Sequence, residues 1–265
     1  MKRIFVCLKQ AVDVSQLKVD PATRRLITAG APRKISDFDK NALEEAIKTK
    51  EKLGGIEIFT LTVSTEDAKA VLREALAMGA DKAYLVNDPS LDGVDTSGTA
   101  YILAQAVKKI GQFDLILGGE TSLDSFSGLV GSRLSELLHL PHVTSVRKLS
   151  VEGEAVIAER ALEDASETVK TKMPALVTVT REINQPRIPS LMMIMRASKK
   201  EIVTWTLADL DVQKEKIIPK IEVLEALAPK TERKKIMIKG ETVPEIAEKL
   251  AKALIQEGVV GRRTT

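Results

Sequence analysis

The chain has a single cysteine, Cys7, among its 265 residues. An intrachain disulfide, a cysteine-ligated iron–sulfur cluster and a thiolate zinc site are therefore excluded within this chain, and a reducing, cytoplasmic setting is the expectation. Aromatic residues make up 3%, with Trp205 the only tryptophan, too few rings for a base-stacking platform. Forty basic residues stand against 37 acidic ones, a net charge of +3, so no bulk field draws the protein to nucleic acid or to an anionic membrane. No apolar run approaches the roughly 20 residues of a membrane span, and direct membrane insertion is not expected. The opening MKRIFVCLKQ holds only a short apolar run, Ile4 to Leu8, with no small-residue cleavage pattern after it. It reads as a first strand, not a leader.

At 44% hydrophobic and 29% charged, the chain can bury a substantial core, and one main domain plus an extension is expected. Strand-length apolar runs at Ile4 to Leu8, Ile56 to Val63, Lys82 to Val86 and Phe113 to Leu117 alternate with helical patterns, which argues for βαβ units and a parallel sheet. From Asp39 to Leu53, the residues Leu43, Ala46, Ile47, Lys50 and Leu53 share a face, while Glu44, Lys48 and Glu51 point away. Helices are also expected over Thr65 to Met78, ending at Gly79, over Thr96 to Ile110, and over about Ser127 to Leu138 before Pro141. Past Pro141 the pattern turns to strands: Val143 to Leu149, Ala155 to Ala161 and Glu167 to Val179, the first two joined by a turn at Glu152, Gly153 and Glu154. The expected fold is α/β: a doubly wound, mostly parallel sheet with an antiparallel addition and an extended C-terminal arm. Residues 1–183 form the α/β domain in this reading, 184–203 an arm, and 204–265 a tail. The tail carries the charged run 230–235 and closes in a helix whose stripe is Ile246, Leu250, Ala253 and Leu254. That helix packs either on its own domain or on another subunit.

In open parallel sheets ligands collect beyond the carboxyl ends of the strands, so the loops there are the candidate sites. The first holds Cys7, Lys9 and Gln10, and the second Val63, Ser64 and Thr65. The third, the strongest, runs from Gly118 to Ser132. Its glycines let backbone approach a phosphate, its hydroxyls donate, and a helix starting near Ser127 would aim free amides at the anion. The alternative is an ordinary cap followed by glycines that permit close helix packing. Neither GxGxxG nor the P-loop pattern is present. His139 and His142 flank Pro141 without carboxylate companions and make a poor metal pair. Glu163 and Asp164, adjacent on a strand, would face opposite ways and form no acid–base couple. No catalytic side chain and no metal site are expected, and hard chemistry would belong to a bound cofactor.

Pro186 and Pro189 each remove an amide donor, so the chain leaves the sheet after Ile183. Leu191, Met192, Met193, Ile194 and Met195 then form an apolar knob beside Arg196, Lys199 and Lys200. Flexible methionines with a cationic base suit docking on changing partners, or the knob plugs the protein's own core.

These segments resemble the β subunit of electron-transfer flavoproteins, over Met1 to about Val212. The family's signature region stands here as Arg160, Glu163, Asp164, Glu167, Val169 and Pro174-Ala-Leu-Val-Thr178, with Ala165 where acid or glycine is usual. VCLKQAVD at the start, Asn41-Ala-Leu-Glu-Glu-Ala46, Ala75 to Asp81 and Asn184 to Leu191 also match. The resemblance implies an adenine-nucleotide-binding α/β fold and pairing with an α subunit that holds FAD. It implies nucleotide contacts at Cys7, at Ser36, Asp37, Phe38 and Asp39, and at Val63. In the third loop it implies them at Asp124, Ser125, Phe126, Ser127, Gly128, Leu129, Val130, Gly131, Ser132, Arg133, Leu134 and Ser135. It makes the arm, with Pro189, Leu191, Met192, Met195, Lys199 and Lys200, a recognition loop for partner dehydrogenases.

The stretches Ile35 to Ala42, Glu163-Asp164, Ile183 to Ser190 and Trp205 look most like the Fix-type branch, although Ser64-Thr65 replace a common Gly-Pro and the 124–131 loop follows neither usual form. That branch implies a second FAD in the β site, NADH as electron donor with flavin-based bifurcation, and delivery to a membrane-associated quinone oxidoreductase and a ferredoxin-like protein. The alternatives are an electron shuttle with structural AMP, fed by acyl-CoA or other dehydrogenases, and a nucleotide-sensing regulatory module.

Overall fold

The computed structural model of the chain describes residues 1–65, 68–230 and 234–260. Its centre is strand β1 (Arg3–Cys7), where Ile4, Phe5 and Val6 are buried on both faces, as a strand inside a parallel sheet requires. On one side β1 pairs in parallel with β2 (Glu57–Ser64), which pairs with β3 (Lys82–Asn87). On the other side lies β4 (Leu115–Gly119), also parallel. The remaining strands of this nine-stranded sheet are β5 (His142–Glu152), β6 (Ala155–Ala161), β7 (Ser166–Lys172), β8 (Ala175–Val179) and β9 (Ile202–Trp205). The sheet order is β7-β6-β5-β8-β4-β1-β2-β3-β9. Within this sheet only the β5–β6 and β6–β7 pairs are antiparallel, so it is mostly parallel with an antiparallel flap.

Helices cover both faces. On one, α1 (Asp37–Leu53) and α2 (Lys69–Met78) pack Leu43, Ile47 and Leu72 onto Ile4, Val6 and Leu115. On the other, α3 (Thr96–Ile110) and α4 (Val130–Leu137) pack Ile102 and Leu134 onto Phe5, Ile116 and Leu176. The chain goes from β1 outward to β2 and β3, then returns to place β4 on the opposite side of β1. That reversal is the topological switch point of the doubly wound class.

Several elements differ from the sequence reading. The run Glu167 to Val179 is two strands, split at the cis peptide before Pro174: β7 is antiparallel to β6, while β8 is parallel to β4 and β5. Glu163 and Asp164 sit in the tight turn between β6 and β7, not on a strand. Helix α4 begins at Val130, three residues after Ser127, because Gly128 takes φ +62 in the preceding loop. Helix α2 begins at Lys69; the expected start covers Glu66 and Asp67, which lie outside the described residues, as do residues 231–233 of the charged run. Glu44 does not face water but is 3% exposed, under Arg187 of the arm.

A boundary between residues 203 and 204 falls inside β9, which adds to the sheet edge beside β3. Beyond it Leu207, Leu210 and Ile217 are buried in the core on the α3 face. From Ile218 on, the tail is largely exposed, and its final helix α6 (Val243–Gln256) has no buried residue. The knob after Pro189 is a helix, α5 (Leu191–Ser198), capped by Ser190 and packed on α2 through Ala197. No helix among the described residues is long and apolar enough to cross a membrane.

Candidate functional site

A cleft of about 710 Å³ opens at the carboxyl ends of β1, β2, β4 and β8, on the α3 and α4 side of the switch point. Its construction starts with Asp39 in the first turn of α1. The Asp39 carboxylate accepts the Lys9 amide on Oδ2 at 2.7 Å and the Gly119 amide on Oδ1 at 2.8 Å. One buried carboxylate thus fastens the ends of β1 and β4 where the two strands diverge. Gly119 is required for that approach, since a Cβ there would lie 2.5 Å from the Phe38 Cβ and 2.7 Å from Asp39 Oδ1. Burial is the largest influence on Asp39 and raises its carboxyl to about 7, against the lowering effect of the two amides and Lys9. The same burial, with the Asp39 charge added, pushes the Cys7 thiol up to about 12. Cys7 is therefore a neutral wall of the cleft, not a nucleophile.

The loop after β4 is held by Lys9. Its ammonium donates to Asp124 Oδ1 at 2.6 Å, Ser125 Oγ at 3.0 Å and Ser122 Oγ at 3.1 Å. Asp124 also accepts the Val12 amide. The far wall is held by Glu120, whose Oε2 accepts from the Ser145 amide at 2.6 Å and from Thr178 Oγ1 at 2.7 Å. His142 Nε2 lies 3.4 Å from Thr178 Oγ1, and burial holds the imidazole below its usual range.

Helix α4 has no side-chain cap, and Leu129, Val130 and Gly131 at its start all border the cleft, so its unpaired first-turn amides are available to an anion. Gly118 also borders the cleft, and a Cβ there would meet nothing within 4 Å. Its missing side chain leaves ligand space. Thr121 Oγ1 is buried in the lining without a partner among the described residues, a donor for a bound polar group.

Of the residues singled out from the sequence, Cys7, Lys9, Asp39, Val63, Ser125, Ser127, Gly128, Leu129, Val130, Gly131 and Leu134 line the cleft. The others stand behind it or outside it. Gln10 accepts from Ser64 Oγ at 3.0 Å. Ser36 precedes α1 and is buried, and Asp37 pairs with Lys34. Phe38 packs against Gly119. Asp124 serves Lys9, Phe126 is 70% exposed, Arg133 donates to Thr96 Oγ1, and Ser135 donates to the Ser132 carbonyl. Gly131 serves packing: a Cβ there would lie 2.5 Å from Thr178 Cγ2.

In the arm, Leu191, Met192 and Met195 are exposed. Lys200 is tied down, its Nζ donating to the Ala80 carbonyl at 2.7 Å and its carbonyl accepting from Arg73. Pro189 is half-buried and Lys199 exposed.

Two walls escaped the sequence reading. One is the loop into α3, Gly93 to Thr96 with Thr99; it follows β3, so the rule that ligands gather at strand carboxyl ends could have found it. The other is Ile221 and Val223 from the tail, for which no local signal exists. Among the described residues no group of three His, Cys, Asp or Glu is placed to hold a metal ion.

A cleft at the reversal point of a mostly parallel sheet is the hallmark of doubly wound α/β proteins, whose ligand crevices form there. Residues 23–210 match the electron transfer flavoprotein domain. The chain is 41% identical to an electron transfer flavoprotein subunit beta of Thermoanaerobacterium thermosaccharolyticum, covering 93% of this chain and 97% of that one. It is 39% identical to the Bacillus subtilis protein of the same name, over 97% and 99% of the two chains. It is also 35% identical to the caffeyl-CoA reductase-Etf complex subunit CarD of Acetobacterium woodii, over 97% and 100%. The chain belongs to the electron transfer flavoprotein family, as a beta subunit.

Proposed function

We propose that the chain works as the beta half of a heterodimer with an electron transfer flavoprotein alpha subunit, and that its cleft holds FAD, reduced by NADH. The observation that carries this reading is the cleft's mixed lining. Gly118, Thr121, Ser127 and the open start of α4 suit phosphate, while Val63, Leu103, Leu129, Leu176, Ile221 and Val223 add apolar surface. A ligand with both a diphosphate and a large flat ring uses both kinds of surface. AMP would leave much of the apolar surface bare, and a shuttle with structural AMP is the rival reading.

A flavin supplies hydride acceptance and release of electrons to separate acceptors; the protein's own residues bind it, orient it and exclude water. Both Asp39 oxygens are engaged by backbone amides and Cys7 stays a thiol, so neither takes part in covalent chemistry. Delivery to a membrane-associated quinone oxidoreductase and a ferredoxin-like protein would place the complex in the cytoplasm, peripheral to the membrane through its partners. The exposed apolar face of α5 and the unburied tail supply surface for an alpha subunit and a dehydrogenase. The relative named as part of a caffeyl-CoA reductase complex supports an assembly of that kind.

The test is to co-express the chain with its alpha subunit, count flavin and adenylate released per heterodimer, and add NADH anaerobically. Two FAD with bleaching by NADH is the expected result. One FAD plus one AMP would replace this reading with the shuttle, and no nucleotide beyond the alpha subunit's FAD would overturn the assignment of the cleft.

A further inference from the structure

We infer that residues 219–223 of the tail form a strap that closes the nucleotide cleft on its α3 side and slows the ligand's escape by covering its ring system. This rests on the nucleotide reading of the cleft.

The strap is fixed at its start. Ile217 is buried in the core on the α3 face, and its backbone lies so close to Gly98 that a Cβ on that glycine would come within 3.2 Å of the Ile217 Cα. Two residues past Ile218 the Lys220 amide donates to Asp95 Oδ2 at 2.9 Å. The other oxygen of Asp95, Oδ1, accepts the Ser97 and Gly98 amides at 2.8 and 2.9 Å and so caps α3. One carboxylate therefore holds both the helix that walls the cleft and the segment whose Ile221 and Val223 border it.

Beyond that tie the strap bridges instead of packing. A second hollow of about 450 Å³ separates it from Gly93. Ile221 and Val223 border the main cleft yet are 60% and 77% exposed. Two apolar side chains beside a ligand cleft, unburied by the protein itself, gain an apolar contact when a flat ring packs against them. The segment is also continuous with the exposed tail that runs on to α6, so docking of that tail on a second subunit would hold the strap in place.

The test uses the heterodimer and follows dissociation of FAD, with AMP in a parallel arm, by rapid desalting and chromatography. Asp95→Asn keeps an oxygen to cap α3, since Asn caps as well as Asp, but its amide nitrogen cannot accept from Lys220. Ile221→Ser with Val223→Ser removes the apolar cover and leaves the tie. Release of the bound nucleotide about tenfold faster in the double variant, and measurably faster in Asp95→Asn, is expected, with unfolding midpoints unchanged. Release rates equal to wild type in both would overturn the strap. So would a double variant that only weakens subunit pairing, which would mean the alpha subunit covers these side chains instead. A wild-type heterodimer with nothing to release from the beta cleft would overturn the nucleotide reading itself, a distinguishable result.

Discussion

The Arg187 guanidinium lies flat against the buried Glu44 carboxylate, its Nε 2.9 Å from Oε2 and its Nη2 3.0 Å from Oε1. Its Nη1 reaches Glu51 Oε1 at 2.6 Å on the next turn but one of α1. These hydrogen bonds, that to Glu51 foremost, raise the Arg187 pKa further above its already high range. Asn184 adds to the clamp, donating to the Asn41 carbonyl and to Glu45 Oε2, both at 3.0 Å. The arm that carries α5 is thus anchored at its root by charge and hydrogen bonds, while its tip is apolar and exposed. Arg187→Ala would leave Glu44 buried without a cation, at a cost of about 1–3 kcal/mol. Faster amide exchange over residues 184–198 is expected, with nucleotide content unchanged; exchange at the wild-type rate would show that the clamp does not hold the arm.

Leu191 is 73% exposed on α5, with Met192 and Met195 beside it. Leu191→Ala removes contact area without opening a cavity, so unfolding should shift by less than about 0.5 kcal/mol. Electron transfer to a partner dehydrogenase should slow severalfold at limiting partner concentration and recover at saturation. Transfer kinetics identical to wild type at every concentration would remove α5 from the docking surface.

Gly131 and Thr178 press α4 onto β8. Gly131→Ala puts a methyl 2.5 Å from Thr178 Cγ2, and an overpacked contact of this kind costs about 1–3 kcal/mol. The loss should appear in denaturant midpoints whether or not nucleotide is present, and the double variant with Thr178→Ser should recover part of it. Full stability of the single variant would mean that α4 is free to move away.

Asp39 links stability to pH. Its carboxyl is raised from 3.8 to about 7 in the folded chain, so between those values the native state holds a proton that the unfolded state releases. The contribution is complete below about pH 4 and is lost as pH rises through about 7. Asp39→Asn should flatten that fall, at the cost of one of its two backbone contacts. An unaltered slope from pH 4 to 7 in the variant would assign the titration to another group.

Cys7, with its thiol pushed up to about 12, should alkylate slowly at pH 8. At that pH its thiolate fraction is about a thousandfold below that of a thiol of ordinary pKa near 9. Bound nucleotide should slow the reaction further, and labelling at the rate of a free thiol would contradict the burial described for Cys7.

The strands at the centre of the sheet are legible in the sequence because buried parallel strands are written as unbroken apolar runs, as at Ile4, Phe5 and Val6. Helices with a clear stripe, such as Thr96–Ile110, were found to the residue. Glu44 was misread because its partner, Arg187, lies more than a hundred residues away, and no helical periodicity reports a distant cation. Strand β9 was missed for a similar reason: four residues long, it exists through its pairing with β3 at the sheet edge. In the site, the loops carrying Cys7, Val63 and Gly118 were found by the rule that ligands gather at strand carboxyl ends. Gly128 and Gly131 belong to that third loop and Asp39 came through the family resemblance, and their structural roles as turn, packing contact and staple needed the folded chain. Ile221 and Val223 could not be read from sequence, since only the tail's path brings them to the cleft.

The most direct test of the central claim uses Gly118, which borders the cleft and where a Cβ would meet nothing within 4 Å. The Gly118→Leu heterodimer should fold, pair with the alpha subunit, keep the alpha subunit's FAD and lose one nucleotide per heterodimer relative to wild type, together with bleaching by NADH. A Gly118→Leu heterodimer that carries the wild-type complement of nucleotide would contradict the account.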